Sequence, residues 1–182
     1  MGARQQGAEF TQDRWLTLPR TLSFVTNGDD VLLIKRAAHK RVFPNQYNGL
    51  GGHIERHEDP FSSALREIHE ESGLQTRSLM LRSIHNIDAG AETGIILFVF
   101  TAISDSRAIR EDCSEGKLEW IARDRIPDLD LVEDLPTLLP KILDMGAHDP
   151  PIYAHVSYDS SDSIVLRFRA GVHDFNMRLG SA

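Results

Sequence analysis

The chain has 182 residues, 41% of them hydrophobic and 26% charged, with a formal net charge of −7. That length suits one domain, and the composition is that of a globular protein with material for a core. The acidic balance, without a long Lys/Arg run, excludes a protein that grips a nucleic-acid polymer by counterion release.

Residues 1–14 form a polar N-terminal tail, expected to precede a single domain over 15–182. The opening MGARQQGAEFTQDRW lacks the apolar segment of a secretory signal. No apolar run approaches the roughly 20 residues of a membrane span. The expected location is cytoplasmic, with no membrane partner. TLSFVTNGDDVLLIKR then predicts a hairpin, because strand formers such as Leu22, Phe24, Val31 and Leu33 flank the turn chemistry of NGDD. AAHKRVFPNQYNG reads as a loop punctuated by Pro44 and Gly49, and LGGHIE as a short strand or bend.

A helix follows. Asp59 suits the N-cap, Pro60 the first helical position and Gly73 the stop. Phe61, Ala64, Leu65, Ile68 and Ser72 recur at helical spacing and predict a packed face. LMLRSIHNIDA and GIILFVFTAIS predict two strands, the second central because it is nearly all apolar. KLEWIARDRI reads as another strand, preceded by the loop REDCSEG. Cys113, the one cysteine, lies in that loop; it excludes an intrachain disulfide and reads as incidental. DLPTLLPKILDMG predicts a helix with Pro136 in its first turn; Pro140, deeper, removes a backbone donor and leaves its continuity open. PIYAHVSYDSSDSIVLRFRA predicts a hairpin, with 148–182 an extension of the domain. Mixed strands and helices in one unit indicate an α/β or α+β domain.

The chemistry concentrates in ALREIHEESG, residues 64–73. At about 100° per residue, Glu67 and Glu71 lie about 40° apart on the helix and Glu70 about 60° to the other side of Glu67. Two like charges 4 Å apart repel by about 4 kcal/mol at an effective dielectric of 20. A divalent cation reverses that sign, and carboxylate oxygens suit Mg²⁺ or Mn²⁺. Alone, such a turn reads as a solvated face. Its context is GHIERHEDPFSSALREIHEESGL, where five residues separate Gly52 from Glu58 and seven separate Glu58 from Arg66.

This stretch resembles the Nudix box, the signature of the MutT-like Nudix hydrolases. The resemblance implies a mixed β-sheet sandwiched between helices, with the box as a loop–helix–loop that carries metal. It implies Glu70 and Glu71 as main Mg²⁺ ligands (Mn²⁺ as an alternative), and Glu67 as a further ligand or proton acceptor. It also implies Glu58 as an outer ligand or hydrogen-bond partner and the Gly51 carbonyl as a backbone ligand. Arg66 would orient the carboxylates through its fork of donors. The implied reaction is hydrolysis of a nucleoside diphosphate linked to another group. His57 departs from the glycine many members carry before Glu58, and His53 and His69 fall at variable box positions.

Beyond the box, the resemblance implies an added acid from a later loop, Glu115 first and Glu119 second, as ligand or general base. NQYNGLGGHIE resembles the segment of nucleoside-triphosphate pyrophosphohydrolases that clear oxidised purine nucleotides such as 8-oxo-dGTP. It implies Asn48 as a base contact, against a turn role for that asparagine. LVEDLPTLLP resembles the segment supplying a base-reading acid, Glu133 or Asp134, although Leu131 and Val132 replace the stacking aromatic of one branch. Phe43, Tyr47 and Trp120 are the alternatives for stacking. Three readings follow: a nucleoside-triphosphate pyrophosphohydrolase, a hydrolase of nucleotide sugars or dinucleotides, and a non-catalytic nucleotide-binding domain. An isopentenyl-diphosphate isomerase fits poorly, because Cys113 is in a polar loop. The C-terminal hairpin has three open roles: extending the sheet, covering the substrate or forming a homodimer contact.

Overall fold

The computed structural model describes residues 6–7, 12–111, 113–170 and 173–178. Its strands are β1 (Leu16–Asn27), β2 (Asp30–Arg36), β3 (Tyr47–Asn48), β4 (Arg77–Ile87), β5 (Thr93–Ile103), β6 (Gly116–Ala122), β7 (Ile152–Tyr158), β8 (Ile164–Ala170) and β9 (His173–Arg178). The helices are α1 (Pro60–Ser72) and α2 (Leu135–Asp144). The strands form one sheet in the order β3-β2-β1-β5-β4-β7-β8-β9, with β6 on β2. β1 runs parallel to β5 and β4 parallel to β7, while the other strand pairs are antiparallel. The fold is the expected mixed sheet of an α+β domain.

Alternation along the central strands fills two layers. Leu22, Phe24, Val31 and Leu33 face a core with Leu135, Leu138, Leu139 and Ile142 of α2. Val25, Leu32 and Ile34 face the other way, with Ile68 of α1, Leu50 and Leu118. Helices therefore cover opposite faces. β2 buries apolar side chains on both, which explains its unbroken apolar run from Val31 to Ile34.

β2 pairs with β1 only from Val25 to Asn27. Below that point the segment around Leu50 takes its place: Thr21 N donates to Gly52 O (2.9 Å), Ser23 N to Leu50 O (2.6 Å) and Leu50 N to Ser23 O (3.0 Å). LGGHIE is thus a strap held by isolated bridges rather than a strand. A Cβ on Gly51, whose φ is +152°, would strike the Thr21 carbonyl. Only glycine permits this approach.

Several elements differ from expectation. β3 forms inside the presumed loop because Tyr47 N donates to Asp130 O and Val132 N to Tyr47 O. KLEWIARDRI leaves the strand after Ala122 and turns into a 3₁₀ helix, Arg123–Asp128. α2 continues past Pro140; the acceptor that Pro140 cannot serve is in the first turn, near Pro136, where the helix is already anchored. On α1, Ala64, Ile68 and Ser72 are buried, but Phe61 and Leu65 are 48% and 36% exposed. The packed stripe is narrower than the spacing predicts. The predicted hairpin is β7–β8, and β7 lies on β4, so it continues the sheet. β9 extends it further. Most of the polar tail lies outside the described residues. Among the described residues no helix is long and apolar enough to cross a membrane.

Candidate active site

α1 is capped as its sequence dictates. Asp59 Oδ1 accepts from Phe61 N (2.8 Å) and Ser62 N (3.0 Å). Gly73, in the left-handed conformation, donates to His69 O at 2.8 Å. These ends fix the rotation of the helix, and Ala64 and Ile68 press it onto the sheet. The carboxylates next to that face therefore point at the glycine strap.

Glu71 is the deepest, 9% exposed. Its Oε2 accepts from Gly51 N at 3.0 Å. Burial pushes its carboxyl up to about 8; the Gly51 hydrogen bond opposes the shift, and the charges of Glu67 and Glu115 reinforce it. Glu67 is also raised, first by burial. A Cβ on Gly52 would collide with the Glu67 carboxylate, so this glycine makes room for that acid. Glu70 points outward, its side chain 59% exposed.

Arg66 ties the outer acids together. Its Nε and Nη2 donate to the two oxygens of Glu58 (2.7 and 3.0 Å), and Nη1 donates to Glu67 (2.9 Å) and Glu70 (3.0 Å). Nη2 also reaches the His53 carbonyl at 3.2 Å. The Arg66 fork holds the Glu58 carboxyl down to about 2. Arg66 thus shares its single charge among Glu58, Glu67 and Glu70, while Glu71 has the Gly51 amide and the weaker influence of the Arg36 charge. Among the described residues no three His, Cys, Asp or Glu side chains form a ready ligand cage. The chemistry still fits a hard divalent ion: all donors are oxygens, and at the buried carboxylate the charges of Glu67 and Glu115 outweigh that of Arg36.

Glu115 sits in the loop entering β6, gripped by Lys40 Nζ at 2.6 Å and near Arg36 Nη1 at 3.9 Å. It is close enough to bear on Glu71. Glu119 is registered with Leu33, on the α2 side of the sheet, and accepts from Tyr47 Oη at 3.1 Å. The structure therefore brings Glu115, and not Glu119, to the α1 cluster.

Asn48 Oδ1 accepts from Gly49 N at 2.8 Å, a local turn contact. The strand bearing it is bridged to Leu131, and the chain runs on through Glu133 to Asp134, the N-cap residue of α2. Burial pushes Asp134 up to about 6, with Glu133 adding to the shift. Tyr47 and Trp120 already have partners. Lys35 Nζ lies 5.6 Å from the Tyr47 ring centre and the Arg107 guanidinium 5.1 Å from that of Trp120. A residue that sequence reasoning missed is His85 of β4, fully buried with Nδ1 3.9 Å from Asp134 Oδ2. The sequence gives it little signal, since β4 also holds Arg82, Ser83 and Asn86.

Comparisons with known proteins agree with this geometry. A human m7GpppN-mRNA hydrolase, NUDT17, is 39% identical over 71 residues, which take in 39% of this chain and 22% of that protein. The crystal structure of a MutT protein from Bacillus halodurans aligns with a TM-score of 0.70 at 23% identity, covering 83% of this chain and 97% of that one. The NUDIX domain of Shewanella oneidensis NrtR, solved with ADP ribose, aligns with a TM-score of 0.63 at 16% identity, covering 79% and 98%. The NUDIX domain model matches residues 16–142, which takes in the strap, α1 and α2, and the chain belongs to the NUDIX family.

Proposed function

We propose that the protein hydrolyses a phosphoanhydride bond of a nucleoside triphosphate, releasing monophosphate and pyrophosphate, with Mg²⁺ as the metal and Mn²⁺ as a substitute. The observation that carries this reading is the α1 cluster: Glu71 buried to about 8 against Gly51, with Glu67 and Glu70 beside it and Arg66 tying the outer acids. Glu70, Glu71, Glu67, Glu58 and the Gly51 carbonyl would hold the ion. A bound divalent ion supplies neutralisation of the diphosphate and a water of lowered pKa.

The chain's own residues do the rest. Arg66 holds Glu58, Glu67 and Glu70 through its donors, so these carboxylates are gathered around one guanidinium before substrate arrives. Burial raises Glu67 towards the range where a carboxylate accepts a proton. Glu115, steadied by Lys40, is the alternative acceptor from across the cluster. Asn48, Glu133 and Asp134 would contact the base, an oxidised purine such as that of 8-oxo-dGTP being one candidate.

The match to the human m7GpppN-mRNA hydrolase favours a second reading, in which the phosphate chain joins two nucleosides. A panel separates the two: the four deoxynucleoside triphosphates, 8-oxo-dGTP, ADP-ribose, and a capped dinucleotide, each with Mg²⁺ and assayed for pyrophosphate and phosphate. Pyrophosphate from the triphosphates supports the first reading. Turnover confined to ADP-ribose or the cap replaces it with the second, and no turnover on any substrate returns the chain to a binding domain.

A further inference from the structure

The cations near the acid cluster are engaged, with one exception. Arg66 grips three carboxylates, and Arg36 Nε donates to the Val42 carbonyl at 2.9 Å. Among the described residues no group forms an ion pair or side-chain hydrogen bond with Arg20 of β1, and its Nε is buried without a partner. Burial, then the charge of Arg36, pull its guanidinium below its ordinary value. The residue is only half-buried and its Nη atoms are not enclosed, so the outer end of the fork reaches the surface. A partly desolvated charge without a partner costs stability. A chain of net charge −7 has carboxylates to spare, yet none is placed here.

The strap puts a second donor beside Arg20. Arg20 is bridged to His53, with Thr21 N donating to Gly52 O (2.9 Å) and Ile54 N to Pro19 O (3.1 Å) on either side of the pair. That is the narrow pairing of an antiparallel ladder, in which Cα atoms lie about 4.5 Å apart and facing side chains come closest. One register row runs from Arg20 through Leu97 and His85 to Ala154. Leu97 and Ala154 pack on the α2 side, so Arg20 and His53 share that face. The surface there is open: His53 is exposed, as are Leu18 and Leu16, the next residues on this face of β1.

The pair is tied to the acids across the strap. The His53 carbonyl accepts from Arg66 Nη2 at 3.2 Å. Arg36, which repels Arg20, also bears on Glu71. A nucleotide cut at the α1 cluster, with its base near Asp134 on the α2 side, has to pass the strap with the phosphate that joins the two. A phosphate suits this place: it accepts from a guanidinium fork and a neighbouring ring, and its charge answers two arginines that otherwise only repel.

We propose that Arg20 and His53 form a phosphate-binding pair, which holds the phosphate attached to the nucleoside while the bond beyond it is cut at the α1 cluster. This rests on the reading that the chain hydrolyses a nucleotide, and it gives a role to the histidine that follows the glycine pair.

The test uses the full chain and the variants Arg20→Met, Arg20→Lys and His53→Ala, with Arg167→Met as a control for net charge. Arg167 is exposed on β8 between Leu166 and Phe168, which pack on the α2 side, so it faces the other way. Binding of AMP, GMP, adenosine and guanosine is measured by calorimetry in EDTA, and kcat and KM for ATP and GTP with Mg²⁺. Wild type should bind at least one monophosphate more tightly than its nucleoside. Arg20→Met should weaken that monophosphate about tenfold to a hundredfold, the scale of losing a hydrogen bond to a charged group, and leave the nucleoside unchanged. Its melting temperature without ligand should equal or exceed wild type, because an unpaired charge is gone. Arg20→Lys keeps the charge but not the fork and should weaken binding several-fold; it carries the test if Arg20→Met does not fold. His53→Ala should act in the same direction and less, and Arg167→Met not at all. Unchanged monophosphate affinity in a folded Arg20 variant overturns the proposal. So does an equal loss in Arg167→Met, or wild type that binds neither monophosphate more tightly than its nucleoside. Arg20-dependent monophosphate binding in a protein that hydrolyses no triphosphate sustains the pair while removing the proposed reaction. Triphosphate hydrolysis with KM unchanged in Arg20→Met keeps the reaction and removes the pair.

Discussion

Two buried carboxylates sit on opposite faces of the same sheet, and their surroundings differ in kind. Glu71, under α1, has Glu67 and Glu115 as electrostatic neighbours and one backbone amide as donor; burial and those charges take it to about 8. Asp134, under the start of α2, faces His85, which burial pushes down to about 4 and so keeps neutral near pH 7. Crowded acids raise Glu71 beyond what burial does, and the Arg36 charge offsets only part of that. Asp134 has Glu133 as its added charge. The same desolvation thus acts among several acids on one face and beside a neutral ring on the other.

The largest effect expected from this difference is in the variant Glu71→Gln. It keeps the shape and the Gly51 contact but removes the charge, and should cut kcat about 10³-fold or more, the scale of losing a charge-stabilising group at the reacting centre. Asp134→Asn should act mainly on KM. Steady-state kinetics on one triphosphate checks both. Comparable effects on kcat from the two variants would erase the distinction between the faces.

Arg66→Ala comes next. It frees Glu58, Glu67 and Glu70 from their shared guanidinium while leaving the Glu71 contact in place. The expectation is a melting temperature lowered by a few degrees in EDTA, with part of the loss recovered in Mg²⁺ because the ion takes over charge neutralisation. A loss that Mg²⁺ leaves untouched would make Arg66 a fold residue rather than an organiser of the acids. Differential scanning fluorimetry with and without metal reads this directly.

Glu71 also gives the metal-free protein a pH signature. Its folded-state value, about 8, lies above the ordinary glutamate value of 4.5. The stability it contributes is therefore fully present below about 4.5 and is lost as pH rises through about 8. Inside that window the slope is about 1.4 kcal/mol per pH unit. Wild type minus Glu71→Gln isolates it from Asp134, which acts in the same direction up to about 6, and from His85, whose contribution is lost as pH falls towards about 4. In EDTA the variant should become the more stable protein as pH approaches 8. Parallel stability curves would show that Glu71 is not desolvated.

The α1 cluster was legible because it is local. Asp59, Pro60, Gly73 and the spacing from Gly52 to Glu71 fix cap, rotation and ligand types within one stretch of chain, and the structure reproduces that helix with its ends. The exposure of Phe61 and Leu65 was not legible, because it depends on how much of α1 the sheet covers. β3 was hidden for a related reason: Tyr47 and Asn48 become a strand only by pairing with β2 and with the segment at Leu131, more than 80 residues away. His85 is the clearest case. Its neighbours Leu97, Ala154 and Asp134 come from three other elements, and only the parallel placement of β7 on β4 closes the row. Asn48 lies between these extremes, since its position was readable but the turn contact of its Oδ1 needed coordinates.

The smallest effect should separate Glu115 from Glu119. Glu119 lies within β6 on the α2 side, where Tyr47 Oη and Lys117 Nζ hold it at 3.1 and 3.0 Å. Glu115 precedes the strand, in the loop, with Lys40 at 2.6 Å and its charge bearing on Glu71. Glu115→Gln should lower kcat about 10²-fold if it serves as proton acceptor, the lower range for general-base catalysis. Glu119→Gln should leave kcat near wild type and lower stability slightly through the lost Tyr47 bond. A kcat loss in Glu119→Gln that matches Glu115→Gln would mean that the two faces of the sheet communicate through β6. An unchanged kcat in both would assign proton acceptance to Glu67, the remaining acid raised by burial beside the strap.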